Sequence, residues 1–312
     1  MTDGAHTRGP TTLAMTGATG FVGGATLQRA VAAGWHVRAL TRRPQPPCDG
    51  VTWIMGALDK PDTLAEMAAG ADVVMHIAGV VNVPTRADFE AGNVTATAHV
   101  VEAARSAGVG RFIHVSSLAA REPGISNYGW SKAGAERVVE ASGLDWTIVR
   151  PPAVFGPRDA EMLDLFRMAQ RGIALVPPGR LSVIHVEELA RLLVALTADR
   201  RASISQIYEP DDGRPGGWSY REFARAIGQA VGRSRVHALG IPPAVLKAAG
   251  RLDTLARRSR AKLTPDRARY IAHPDWVAAD GAYPPAGLWS PSLETSEALA
   301  ETVRWYRAEG WL

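Results

Sequence analysis

Tyr128 and Lys132 stand four residues apart in the run Tyr128-Gly-Trp-Ser-Lys132, a spacing that sets both side chains on one face of a helix. An ammonium beside a phenol favours the phenolate and pulls the tyrosine pKa down from its usual value of about 10. A phenol so tuned donates or removes a proton near neutral pH. Just upstream, Val115-Ser116-Ser117 ends an apolar run with two hydroxyls. A second chemistry-bearing run, Thr16-Gly17-Ala18-Thr19-Gly20-Phe21-Val22-Gly23, follows the first apolar segment of the chain. Its glycines permit a tight turn, a close backbone approach to a pyrophosphate and a close helix–strand contact. A helix that starts at such a loop aims free N–H groups and the positive end of its dipole at an anion.

These residues need a scaffold, and the chain alternates accordingly. Short β-branched or apolar runs occur at Thr11–Thr16, Trp35–Thr41, Val51–Gly56, Ala71–Ala78, Arg111–Ser117 and Trp146–Pro151. Between them lie four helical patterns, each ending in a glycine (Gly34, Gly70, Gly108 and Gly143) suited to a helix C-terminus. Such alternation requires right-handed crossovers and a parallel sheet covered on both faces. The fold class is therefore α/β, a doubly wound parallel sheet over residues 11–150. After Pro151, Pro- and Gly-rich pieces separate helices such as YREFARAIGQAVG and SEALAETVRWYRAEG. Residues 151–312 read as a smaller, mainly helical lobe over the carboxyl edge of the sheet, where ligands of such sheets bind. One strand-like run, LSVIHV (Leu181–Val186), is expected to return with residues 181–200 to the main sheet. There is no internal repeat.

Composition narrows the function further. The 312 residues are 46% hydrophobic and 21% charged, with net charge +4, and the basic residues are scattered, so nucleic acid is not an expected partner. Cys48 is the only cysteine, which excludes an intrachain disulfide and a thiolate metal cluster; no metal site is expected. Residues 1–10 carry no apolar core of a signal peptide and read as a disordered tail. No run reaches the roughly 20 apolar residues of a membrane span. A cytoplasmic location fits these features.

TGATGFVG resembles the glycine motif of the extended branch of the short-chain dehydrogenase/reductase superfamily, which also holds sugar-nucleotide epimerases and dehydratases. HIAG (His76–Gly79), NVTAT (Asn93–Thr97, with Ala96 for the family's glycine), RPPAVFGP (Arg150–Pro157), IHVEELA and the terminal TVRWYRAEGWL have counterparts there. The resemblance covers nearly the whole chain and implies a Rossmann domain, an NAD(P)-dependent enzyme and a small-molecule substrate. It assigns Ser117, or less readily Ser116, to hold the substrate oxygen, Tyr128 to act as acid or base, and Lys132 to hold the nicotinamide ribose as well. It puts Gly17, Thr19, Gly20, Phe21, Val22, Gly23, Leu58, Ile77, Ala78, Gly79, Asn93 and Pro151 against the dinucleotide, and it implies a homodimer through the helices flanking the tyrosine helix. His76 reads as a buried histidine bonded within the fold.

The second strand ends Leu40-Thr41-Arg42-Arg43, without the acidic residue that takes the ribose hydroxyls of NAD. Arginines there can hold a 2′-phosphate in bidentate fashion, which favours NADP(H) over NAD(H); a solvated basic turn before Pro44 is the alternative. Ser116-Ser117-Leu118 stands where dehydratases carry Thr-Asp-Glu, and Ala153 where epimerases carry an asparagine for the nucleotide diphosphate. Both departures point from sugar nucleotides toward the hydroxysteroid-dehydrogenase-like and flavonol-reductase-like relatives. The apolar series Val154, Phe155, Met162, Leu163, Leu165, Phe166, Met168, Ile173, Leu175 and Val176 suggests a hydrophobic pocket. The expected reaction interconverts a ketone and a secondary alcohol on a hydrophobic, cyclic or aromatic molecule. Sugar-nucleotide epimerisation or dehydration, and a non-catalytic nucleotide sensor, are the two alternatives.

Overall fold

The computed structural model of the chain describes residues 11–199, 202–258 and 261–312, so the expected tail at 1–10 lies outside the described residues. The first half runs β1 (Thr12–Thr16), α1 (Phe21–Ala32), β2 (His36–Thr41), β3 (Val51–Met55), α2 (Pro61–Ala68), β4 (Val73–His76) and α3 (Arg86–Phe89). A π-helical turn, Glu90–Thr95, joins α3 to α4 (Ala96–Ser106), followed by β5 (Arg111–Val115), α5 (Asn127–Glu140) and β6 (Asp145–Val149). Gly34, Gly70, Gly108 and Gly143 all take positive φ, between 69° and 86°. Each ends its helix in the left-handed conformation that glycine adopts without a Cβ penalty.

The remainder comprises β7 (Ala153–Phe155), α6 (Leu163–Gln170), β8 (Ile173–Val176), β9 (Arg180–Leu181), β10 (Val183–His185), α7 (Val186–Ala198) and β11 (Gln206–Tyr208). It ends with β12 (Trp218–Ser219), α8 (Tyr220–Ala230), β13 (His237–Gly240), α9 (Pro243–Arg257), α10 (Pro265–Ile271), β14 (Asp275–Trp276) and α11 (Thr295–Ala308).

Seven parallel strands form the main sheet in the order β11-β6-β5-β4-β1-β2-β3. Successive side chains of a strand face opposite ways. Leu13 and Met15 accordingly join Val37, Val73, Met75 and Ile113 in one core layer, with residues of α1 and α7. Ala14, between them, joins Leu40, Val74, Phe112 and Ile148 in the other, with residues of α2, α4 and α5. The chain reverses its winding between β1 and β4, and the crevice outside their carboxyl ends is where ligands of such sheets bind.

The expectation for residues 181–200 needs correction. Val183 and His185 pair with Ala153 and Phe155 in a separate two-stranded sheet, and Arg180–Leu181 pairs with β12 and β14. The seventh strand of the main sheet is instead Gln206–Tyr208, against Thr147–Val149. Three residues carry too little pattern to announce a strand. Only the helix of that segment returns: α7 buries Leu189, Leu192, Leu193 and Leu196 in the core layer beside α1.

Candidate active site

The glycine loop has the shape its spacing implies. Gly17 takes φ +79°, and a Cβ there would sit 2.7 Å from the Ala78 backbone nitrogen. A Cβ on Gly23 would meet the Gly17 carbonyl oxygen at 1.9 Å, so the helix packs on the loop as only glycine allows. The Gly20 N–H donates to that carbonyl at 2.9 Å. Gly20 is also the N-cap of α1, with no side-chain cap and no acidic residue in the first turn. The first N–H groups of α1 and its positive end therefore face the crevice without a carboxylate to compete.

Two adjoining cavities of about 630 Å³ each open along the carboxyl edge and share Gly17, Thr19, Arg42 and Ala78–Val80 as a common wall. Gly17, Thr19, Gly20, Phe21, Val22, Gly23, Arg42, Ile77, Ala78, Gly79, Ser117, Tyr128, Lys132 and Pro151 all line the first. Leu58 lines the second, along with Thr41, Ala57 and His99. Two residues expected against the dinucleotide are not in either wall. Arg43 is exposed, and its backbone carbonyl accepts from the Thr41 hydroxyl at 2.7 Å and from Gln45 at 3.2 Å. Asn93 sits behind the wall and is 2% exposed. Its Oδ1 accepts from the Val80 N–H at 2.8 Å, and its Nδ2 donates to the Val80 carbonyl at 3.0 Å and to Ser131 Oγ at 2.9 Å. With its side chain spent on these bonds, Asn93 clamps the loop after β4 to the tyrosine helix.

Helix α5 begins where Ser126 caps it, its hydroxyl accepting from the Gly129 N–H at 3.0 Å. Gly129 is required, since a Cβ there would lie 2.5 Å from the Ala119 carbonyl oxygen of the 3-10 turn Leu118–Arg121. Ser117 caps that turn, accepting from the Ala119 N–H at 3.2 Å. One side of the cleft thus carries Ser117, Tyr128 and Lys132 together. Lys132 Nζ donates to the Val115 carbonyl at 2.8 Å, and burial lowers its pKa to about 8, against the opposing charge of Glu136.

The phenol behaves differently from the expectation drawn from spacing. Burial raises the Tyr128 pKa above its ordinary value; a hydrogen bond with Ser117 opposes this and the charge of Glu161 adds to it. The desolvation of a buried phenolate outweighs the help that a lysine on the next turn could give. Tyr128 is a protonated acid in this site.

His76 is buried as expected, with Nδ1 2.7 Å from Thr16 Oγ1 and Nε2 3.1 Å from Thr97 Oγ1. Burial, assisted by the Lys132 charge, lowers its pKa to about 3, so a neutral imidazole ties β1 and β4 to α4.

A family profile described as NAD(P)H-binding matches residues 17–199. The chain belongs to that family. It is 36% identical to the ceramide reductase of Caulobacter vibrioides over 96% of both chains. It is 31% identical to a farnesyl-dihydroquinoline-oxide ketoreductase of Stigmatella aurantiaca over 64% of this chain and 68% of that one. MoeE5, solved with UDP-glucose and NAD, shares the fold with a TM-score of 0.73 at 21% identity, over 96% of this chain and 99% of that one. The chain is an NAD(P)-dependent reductase of the short-chain dehydrogenase/reductase type, in the extended branch. A dinucleotide fits the residues present, because the loop leaves backbone where any Cβ would intrude and the helix end behind it is uncapped.

The substrate side of the cleft was the least legible part. Of the ten apolar residues named above, Val154 and Met162 line it. Phe155, Leu163, Phe166 and Val176 are core, with Leu165 packed against that core and Met168 half-buried. Ile173 and Leu175 lie on the surface. The wall is completed by Val81, Phe89, Asp159, Glu161, Thr264, Arg267 and Tyr270. Thr264-Pro265-Asp266 is a recognisable helix start, but nothing local could place that helix over Tyr128. The Tyr270 ring meets Tyr128 edge-on at 5.9 Å, and Arg267 is paired with Glu161 across the opening.

Proposed function

We propose that the chain reduces a ketone on a hydrophobic molecule, with Ser117, Tyr128 and Lys132 as its catalytic residues. The observation that carries this reading is their convergence on one cavity whose other rim is the glycine loop. When bound, the dinucleotide supplies the hydride. Gly17–Gly23 would hold its phosphates and Lys132 its ribose. Tyr128 gives its phenolic proton to the carbonyl oxygen as that oxygen gains charge, and Ser117 donates a hydrogen bond to the same oxygen. Lys132, tethered to the Val115 carbonyl, keeps a positive charge near both.

Val81, Phe89, Val154, Met162 and Tyr270 make the substrate wall largely apolar, and unpartnered polar groups are costly against such a surface. The reductase of C. vibrioides acts on ceramide by its name, which supports a long-chain or otherwise lipophilic carbonyl over a compact ring. Ala153 lines the cleft where a hydrogen-bonding residue would serve a nucleotide diphosphate, which disfavours epimerisation. Arg42, shared by both cavities, is the residue we assign to a 2′-phosphate, and NADPH is the proposed donor.

The test is a panel of lipophilic ketones and sugar nucleotides assayed with NADPH and NADH. Ketone-dependent NADPH oxidation is the expected result. Epimerisation of a sugar nucleotide with no ketone reduced would overturn the reading. In the same assay, Arg42→Ala weakens NADPH binding far more than NADH binding. Equal losses would return NAD as the cofactor.

A further inference from the structure

Helix α9 turns an apolar face outward. Val245, Leu252 and Leu255 are 54%, 67% and 76% exposed, and at 3.6 residues per turn their spacing puts them on one side of the helix. Exposed Ala244, Ala248 and Ala256 fall on the same arc, and exposed Lys247, Arg251 and Arg258 follow one edge of it. Asp253 is the only carboxylate between Pro242 and Lys262, and it is turned onto the N–H groups of Lys262 and Leu263. Just before α9, exposed Leu239 lies beside exposed Leu175 across the β8–β13 pair. The other face of α9 is bound to the cleft: Gly250 is so close to α10 that a Cβ would meet the Thr264 carbonyl at 3.0 Å. Thr264, Arg267 and Tyr270 of that second helix line the substrate side.

We propose that α9 lies on an anionic membrane surface and brings the cleft to a substrate dissolved in the bilayer. The purpose, though not the docking, rests on the lipophilic-substrate reading above. An apolar arc edged by lysine and arginine is what an interfacial helix presents to acidic headgroups. A second copy of the chain would bring the same cations and be repelled by them. At 15 residues the helix is too short to span a bilayer, so it lies flat.

Flotation of the full chain with vesicles tests this without cofactor or substrate. The chain should float with phosphatidylcholine–phosphatidylglycerol vesicles, more weakly with phosphatidylcholine alone, and less as salt rises. Leu252→Glu with Leu255→Glu should lower the partition coefficient by more than about tenfold. Lys247→Glu with Arg251→Glu should remove the preference for the anionic lipid. Both variants should retain NADPH binding and wild-type turnover of a water-soluble ketone, which separates a docking defect from misfolding. Failure to float with either vesicle, or flotation indifferent to the leucine pair, overturns the proposal. So does a dimer in light scattering that the leucine variant dissociates, which would assign the face to a second copy. Failed ketone turnover with intact flotation would overturn the reductase reading alone.

Discussion

Tyr128 starts from a phenol that burial holds protonated, and this sets the direction in which pH acts. Because its pKa lies above the ordinary value, the acid form persists through neutrality. Tyr128 itself should therefore impose no fall on the reductive kcat until pH passes a pKa above about 10, and the first fall expected is the loss of the Lys132 charge near pH 8. The reverse oxidation needs the phenolate and should rise with pH over the same range. The expected measurement is a reductive rate that is level in the acid-to-neutral range and falls with the Lys132 charge near pH 8, beside an oxidative rate that rises with pH; a reductive rate that rises with pH would contradict it. At the loop, Gly20→Asp places a side chain and a negative charge at the end of α1, and calorimetry should find nucleotide affinity lost with the fold retained. The shape of the glycine loop and the placing of Tyr128 and Lys132 on one cleft were legible because local spacing sets them, whereas the raised pKa of the phenol was not, because burial is set by the fold. Arg43, by contrast, lines neither cavity, which its place beside Arg42 in the sequence does not reveal. The bonds of Asn93 to Val80 and Ser131 were not legible either, because its partners lie 13 and 38 positions away.

Between elements, His76 joins three of them through two threonine hydroxyls. Its folded pKa of about 3 lies below the 6.5 of an ordinary histidine, so the unfolded chain binds more protons between these values. Stability from this site is complete above the unfolded pKa and is lost as pH falls toward the folded one. Urea unfolding at pH 7 and at pH 4 should show a wild-type loss that His76→Gln, though less stable at neutrality, displays to a smaller extent. An equal pH dependence in the two proteins would remove His76 from the account. Element existence was readable through β6 because long runs and glycine stops repeat there. At β10 the strand was read but its sheet was not, and β11 was missed altogether, because strands of three residues are assigned their sheet by their partners and not by their own pattern.

Across the whole molecule, the first and second halves of the chain meet at an ionic cluster built on the buried carboxylates of Glu136 and Glu209. Arg150, beyond β6, bonds Glu136 of α5 at 2.7 Å and Glu209, beyond β11, at 3.3 Å. Glu209 also takes Arg121 at 3.1 Å and the Ala279 N–H at 2.9 Å. Removing Glu209 leaves Arg150 its bonds to Glu136 but strips Arg121 and the Ala279 N–H of their acceptor, so Glu209→Ala should cost about 1–3 kcal/mol in denaturant unfolding. A loss below about 1 kcal/mol, the worth of a surface pair, would mean the cluster is solvated. The shift to proline and glycine after Pro151 is plain in the sequence, but the packing of the second half over Tyr128 depends on contacts between residues more than a hundred positions apart, such as Asn127 with Asp266. The central claim is that Tyr128 delivers the proton at a ketone held in this cleft. The most direct measurement is the single-turnover rate of ketone reduction by the NADPH-loaded enzyme, compared between wild type and Tyr128→Phe at matched cofactor occupancy. A fall of at least about 100-fold with unchanged NADPH affinity is predicted; turnover at the wild-type rate would show that the tyrosine is structural.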